Sequence, residues 1–332
     1  MSNRTAYDAV VIGAGPNGLA AAITLARAGR SVIVYEAAAT IGGGSRTKEL
    51  TLPGFRHDVC SAIHPLAAAS PFFRTLPLER YGLEWIYPPA ALAHPLPDGT
   101  AALLSGSLAA TAATLGVDGA AWQRLMAPFV AHWDTISDAV SGPLRPLHHA
   151  VHPIRSLVLV PFALDAIQSA RSFALRQFSG AHARGMFAGM AAHSMMSLDA
   201  PPTAGFGLIL AISGHAVGWP MPRGGSQAIV DALAAYLRAL GGEIVTDTPV
   251  ESLDQLPRAD AIVADITPRQ LLRIAGDRLP EGYRRQLERY RYGPGVFKLD
   301  YALDGPIPWA APECARAGTV HLGGTLGEIV AS

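Results

Sequence analysis

Residues 7–36 read YDAVVIGAGPNGLAAAITLARAGRSVIVYE. The run Val10, Val11 and Ile12 suits a short strand buried on both faces, and Gly13, Gly15 and Gly18 follow it at GxGxxG spacing. Each glycine has a separate task in such a turn: Gly13 permits the sharp bend, Gly15 lets the backbone approach a pyrophosphate, and Gly18 lets the following helix lie against the strands. Ala14, Pro16 and Asn17 lie in the same loop and are, with the glycines, candidate cofactor-binding residues. The helix carries Leu19, Ile23, Leu25 and Ala26 on or near one apolar stripe and stops at Gly29, a residue suited to a left-handed C-terminal turn. Free N–H groups at its start, together with the helix dipole, favour an anion there by roughly 0.3–1 kcal/mol. Residues 31–35 form a second strand, and Glu36 follows at the spacing of an acid that accepts from ribose hydroxyls. Strand, turn, helix, strand and acid together predict one end of a dinucleotide site. The acid disfavours a 2′-phosphate, because like charges about 4 Å apart repel by up to roughly 4 kcal/mol near a protein surface. NADP is the dinucleotide least expected.

The chain has 332 residues, enough for about two domains and a large core. Only 16% of its residues are charged while 50% are hydrophobic, against roughly 25% charged in an average soluble domain. The surplus apolar surface is expected to line a lipophilic cavity, to meet a partner or a membrane surface, or to lie against further polypeptide. Net charge is zero at a pI near 7.2, so no basic field recruits nucleic acid. The basic group Arg284, Arg285, Arg289 and Arg291 reads as a solvated helix face. Cys60 and Cys314 are the only cysteines; they fit neither CxxC nor zinc spacing and rule out a redox disulphide of the paired CxxC kind. No metal site is expected: His148, His149 and His152 lack a nearby carboxylate or cysteine and read as a polar loop. Residues 9–26 carry no charge, but their glycines and the preceding Asp8 fit the dinucleotide turn better than a secretion signal. Residues 200–222 are also uncharged, and prolines, glycines and His215 interrupt them as a spanning helix. The expectation is a cytoplasmic protein, or one of the mitochondrial matrix in a eukaryote, with no transmembrane segment and with peripheral membrane contact left open.

After Glu36, Gly42, Gly43 and Gly44 make a second flexible loop, and Arg46 beyond it is a candidate partner for a diphosphate. From about Leu103 to Met196 the pattern turns helical, with Leu115, Trp122, Leu125, Met126, Phe129 and Trp133 mostly three or four apart, as in a helical core. Residues 223–253 (RGGSQAIVDALAAYLRALGGEIVTDTPVESL) start a second α/β unit: Ser226 is an expected N-cap, Ile229, Leu233, Leu237 and Leu240 repeat on one face, and strands follow at 243–246 and, as a buried one, at 259–264. Residues 295–303 alternate as a strand does. No second GxGxxG follows a strand, so one dinucleotide site is expected. Residues 223–228 lack the GxSxG elbow of serine hydrolases, and His57 and His64 read as structural histidines, so no catalytic residue is assigned.

Residues 10–44, 54–66 and 222–253 resemble the flavin-dependent amine oxidase and phytoene desaturase superfamily, and within it the pyridine nucleotide-disulphide oxidoreductase domain-containing protein 2 family. That resemblance implies an α/β fold: a Rossmann-like FAD-binding domain of the glutathione-reductase βαβ type, with an inserted, largely helical α+β substrate domain. It implies FAD-binding segments at 1–95 and 221–275, a mainly helical substrate domain at 96–220, and a return into that domain at 276–332. The implied cofactor is FAD, its pyrophosphate held by Gly13, Gly15 and Gly18, its adenosine ribose by Glu36, its ribityl side by Gly42 and Gly43, and its adenine by the backbone at Val250. The implied activity is oxidation of a CH–CH or CH–N bond of an apolar small molecule. Two alternatives stand beside it, an NAD-dependent dehydrogenase and a non-catalytic truncated flavoprotein or interaction protein. The sequence departs from the superfamily where Gly44 replaces the arginine of its Gly-Gly-Arg, with Arg46 two residues on. The resemblance also implies a C-terminal truncation, since relatives carry a glycine-rich segment that returns to the flavin. Oligomeric state is not readable from the sequence.

Overall fold

The computed structural model describes residues 5–142 and 153–332; His148, His149 and His152 lie outside them. The chain divides into two units. The first comprises Met1–Ala62, Pro77–Trp85 and Pro222–Ala302, the second Ile63–Leu76, Ile86–Met221 and Leu303–Ser332.

The first unit is an α/β layer built on the predicted βαβ. Strand β1 (Ala6–Ile12), helix α1 (Pro16–Arg27) and strand β2 (Val32–Tyr35) follow one another, and Gly29 adopts a φ of +77° just past the helix end. A small antiparallel pair, β3 (Thr47–Glu49) and β4 (Arg56–Asp58), comes next. Helix α2 (Gln227–Ala239), strand β5 (Glu243–Val245), strand β6 (Arg258–Ala264) and helices α3 (Pro268–Ala275) and α4 (Glu281–Glu288) complete the unit. The sheet order is β6-β1-β2-β5, all parallel, with Val10 beside both Ile262 and Ile33. Val10, Val11, Leu19, Ile23, Val34, Leu233 and Leu237 are buried, each contributing roughly 1.5–3 kcal/mol by leaving water. This is the Rossmann-like α/β fold expected from the sequence.

Several local expectations are corrected. Ser226 precedes α2, but its hydroxyl donates to the Ser61 carbonyl at 2.5 Å rather than capping the helix. The cap comes from elsewhere: Asp58 Oδ1 accepts from the Ser226 amide at 2.7 Å and Thr47 Oγ1 from the Gln227 amide at 3.0 Å. Strand β6, at one edge of the sheet, is largely exposed rather than buried, with Ile262 42% accessible. Residues 295–303 form no strand: they have the alternation but no neighbouring strand to complete a ladder, and Val296, Phe297, Leu299 and Tyr301 stand in solvent. On α4 and beyond it Arg285, Arg289 and Arg291 are exposed, and Arg285 pairs with Glu281 at 3.2 Å.

The second unit joins a three-stranded sheet to a helical core. Strand Ala90–Pro95 lies between the parallel Ala317–Val320 and the antiparallel Ala101–Leu104. The division at 85/86 differs from the expected boundary at 95/96 for that reason, since residues 90–95 pair with strands of this unit. The boundary expected at 275/276 also shifts, because α4 packs on α3 in the first unit. Leu103 and Leu104 are strand rather than helix, and the helical run starts at Leu108. Trp122 stacks on Phe178 with ring centres 5.6 Å apart, and Phe173 meets Phe187 at 4.9 Å; all four are almost wholly buried. The helix Pro153–Ala166 buries Val158 and Phe162 but leaves Leu157, Val160 and Leu164 exposed, part of the apolar surplus noted in the composition. Among the described residues no single helix is long and apolar enough to cross a membrane.

Buried histidines give this unit an acid sensitivity. His215 Nε2 accepts from Trp122 Nε1 at 2.9 Å, an arrangement that needs the neutral ring, and burial pushes its pKa from 6.5 down to about 4. His321 is pushed down to about 3 by burial first and then by His193 and His94. A group whose folded pKa lies below its unfolded one binds more protons when unfolded, so stability falls as pH drops below 6.5 and the loss completes near the folded pKa. For His215 alone the loss is on the order of 3 kcal/mol. Denaturant unfolding compared between about pH 7 and about pH 4 is expected to reveal it, and His215→Gln, which keeps an acceptor for Trp122, is expected to flatten the slope.

Candidate functional site

The carboxyl ends of β1, β2 and β6 open onto a cleft of about 670 Å³ in the first unit, where a parallel open sheet holds its ligands. Gly13, Gly15, Pro16, Glu36, Gly43, Arg46 and Val250 all line it, and the loop residues Ala14, Asn17 and Gly18 sit at the start of α1 beside them. Gly13 turns the chain at a φ of +104° while its amide donates to the Tyr35 carbonyl at 2.8 Å. Ala14 is fully buried; its carbonyl accepts from Gly42 at 2.9 Å, tying the second glycine loop to the first. A Cβ on Gly43 would come within 3.4 Å of the Gly15 Cα, so the two loops run in contact.

The three fingerprint glycines differ in what surrounds them. A Cβ on Gly18 would strike the Gly13 carbonyl oxygen, and one on Gly13 would lie 2.5 Å from the Asp265 carbonyl oxygen. Both are required by the packing of the chain on itself. Gly15 is not. Its φ of −73° suits any residue, and an added Cβ would meet only Asp265 Oδ2, at 3.3 Å. The room beside Gly15 faces the cleft, and no packing need of the protein itself accounts for it.

Glu36 is 8% exposed. Its Oε2 accepts from the Ala14 amide at 3.0 Å, and its Oε1 from the Ala38 amide at 2.9 Å and from Arg46 Nη2 at 3.1 Å. A carboxylate offers about four acceptor positions, which leaves room for a ligand hydroxyl. Arg46 also donates from Nε and Nη2 to the Thr40 carbonyl at 3.0 and 2.8 Å. Its guanidinium is therefore held beside Glu36 and stabilises that carboxylate. The segment carrying Val250 is placed by two backbone bonds, Asp247 to Ala38 at 2.9 Å and Thr248 to Glu36 at 3.0 Å.

Sequence reasoning missed Asp265, Gln270 and Arg273, which line the same cleft from β6 and α3. Asp265 Oδ2 accepts from the Gly18 amide at 2.8 Å. The available signal was positional: Asp265 directly follows a strand that ends next to the glycine turn. His57 and His64 fall in different units. His57 Nε2 lies 2.7 Å from Thr51 Oγ1 and its Nδ1 3.5 Å from Asp300. Cys60 is exposed and Cys314 buried. Among the described residues no group of three or more histidines, cysteines and carboxylates is arranged to hold a metal.

Comparison with known proteins adds four matches. Residues 11–76 match the family model of the NAD(P)-binding Rossmann-like domain. The chain is 28% identical over 284 residues to pyridine nucleotide-disulfide oxidoreductase domain-containing protein 2 of Rattus norvegicus, covering 74% of this chain and 48% of that protein. It is 39% identical over 108 residues to one of the polypeptides of limonene dehydrogenase from Castellaniella defragrans, covering 32% of this chain and 19% of the other. The chain thus spans about half the length, or less, of these curated relatives. Among solved structures, putrescine oxidase bound to putrescine superposes with a TM-score of 0.51 at 21% identity, over 85% of this chain and 63% of that one, which establishes a shared fold.

Proposed function

We propose that the chain belongs to an FAD-dependent oxidoreductase that acts on a CH–CH or CH–N bond of an apolar small molecule, and that its first unit holds the dinucleotide. The observation that carries this reading is the open space at Gly15, which internal packing does not account for and which lies at the amide end of α1. The amides of Gly15 and Asn17 would hold the diphosphate, since those of Ala14 and Gly18 already serve Glu36 and Asp265. Glu36 would take the adenosine ribose, with Arg46 fixing its carboxylate. The backbone at Val250 would border the adenine, and Gly42 and Gly43 the ribityl chain. FAD, when bound, supplies the hydride acceptance, so the protein needs only to place and polarise. The name of one relative, limonene dehydrogenase, supports a hydrocarbon substrate, and the fold shared with putrescine oxidase is compatible with CH–N oxidation.

A nicotinamide dinucleotide is the second reading, favoured by the family model matched at residues 11–76. Purified protein is expected to be yellow and to release FAD on denaturation, identified by chromatography of the extract. Colourless protein that NAD, and not FAD, protects against unfolding would overturn the flavin assignment.

A further inference from the structure

The nucleotide cleft contains a carboxylate at the place where it would receive an anion. Asp265 Oδ2 accepts from the Gly18 amide at 2.8 Å and stands 3.3 Å from the position a Gly15 Cβ would take and 3.1 Å from that of Gly18. On the other flank of the loop Glu36 Oε2 accepts from Ala14. The amides of Gly15 and Asn17 therefore lie between two carboxylates. Arg46 directs its hydrogen bonds to Glu36 and the Thr40 carbonyl, and no ion pair links it to Asp265 among the described residues. Arg273 and Glu251 also line the cleft.

We propose that Asp265 is a charge filter, setting the preference of this cleft for a diphosphate diester over nucleotides that end in free phosphates. The inference rests on the dinucleotide reading above. Any anion that fills the room beside Gly15 comes into contact range of Asp265 Oδ2, and each additional negative charge raises the repulsion. A diester diphosphate, with both ends esterified, carries fewer charges than a terminal di- or triphosphate and is repelled least. The protein gains selectivity against the abundant mononucleotides, and gives up some affinity for its own ligand.

The test is a calorimetric titration of FAD, ADP, ATP and adenosine into the wild-type chain and into Asp265→Asn, whose amide oxygen still accepts from Gly18. The variant is expected to gain about tenfold in affinity for ATP, less for ADP and least for FAD, with adenosine unchanged. The gains are expected to shrink in about 1 M salt, where the Debye length falls to about 3 Å. Equal gains for all three phosphates, no gain for any, or a parallel change for adenosine would overturn the filter while leaving the dinucleotide reading intact. Wild type and variant that are folded by circular dichroism yet bind neither FAD nor the mononucleotides would overturn the dinucleotide reading, and the filter with it. Asp265→Ser, which keeps a neutral oxygen acceptor, repeats the comparison if the asparagine form does not fold.

Discussion

Gly15→Val is expected to lose dinucleotide binding by a factor of about 100 or more while the chain still folds. The backbone there accepts a side chain, with φ at −73° and ψ at 174°. Among the described residues, beyond Gly15's chain neighbours, the atom within 4 Å of the new Cβ is Asp265 Oδ2 at 3.3 Å, the end of a side chain that can give by a few tenths of an ångström. Gly15 is the N-cap of α1 but contributes no side-chain cap, so replacing it costs the helix about 1 kcal/mol or less. The methyls of valine, by contrast, occupy the space through which a diphosphate would reach the amides of Gly15 and Asn17. Two hydrogen bonds to a charged group, at roughly 1.5–3 kcal/mol each, correspond to that loss of affinity. Flavin content of the purified variant, with a titration of added FAD and a far-ultraviolet spectrum, checks both halves. A variant with wild-type flavin occupancy would refute the assignment of the loop.

The first βαβ was legible because four independent signals sit within residues 7–36: a doubly buried apolar run, spaced glycines, an amphipathic helix and a terminal acid. Each reflects local chemistry, and the chain folds there as that chemistry requires. Asp265 was not legible in the same way. It meets Gly18 across 247 positions of sequence, and only the pairing of β6 with β1 brings it over the glycine turn. Arg46 shows a related limit: its place beside the loop was readable, but its commitment to Glu36 depends on a ten-residue loop geometry that spacing does not encode. Residues 295–303 show the converse. Alternation says which side chains share a face, whereas a strand also needs a neighbour for its N–H and C=O groups, and the pattern alone cannot supply one. Leu103 and Leu104 fit a helical pattern in the sequence because apolar density is common to buried strands and buried helices.

Gly18→Ala is expected to destabilise the first unit severely, the opposite outcome from Gly15→Val only three residues away. In an exposed helix interior the change would gain about 1 kcal/mol from better helix propensity. Here the added methyl would run into the Gly13 carbonyl oxygen and lie 3.1 Å from both the Gly13 carbonyl carbon and Asp265 Oδ2. The obstacle is backbone, pinned by the Gly13 to Tyr35 hydrogen bond at 2.8 Å, so no flexible side-chain end can move aside. Relief requires α1 to lift from β1, and α1 carries Leu19, Ala22 and Ile23, all at 0% exposure. Overpacking of this kind costs typically 1–3 kcal/mol, and more where backbone must shift, so a net loss of about 3–5 kcal/mol is expected. For a unit of this size that corresponds to a fall in Tm on the order of 10 °C. Measuring it on nucleotide-free protein removes any contribution from bound ligand, which stabilises only the folded form. A Gly18→Ala chain that melts with the wild type would mean that α1 and β1 are not packed as closely as described, and the separate roles given to Gly15 and Gly18 would fall together.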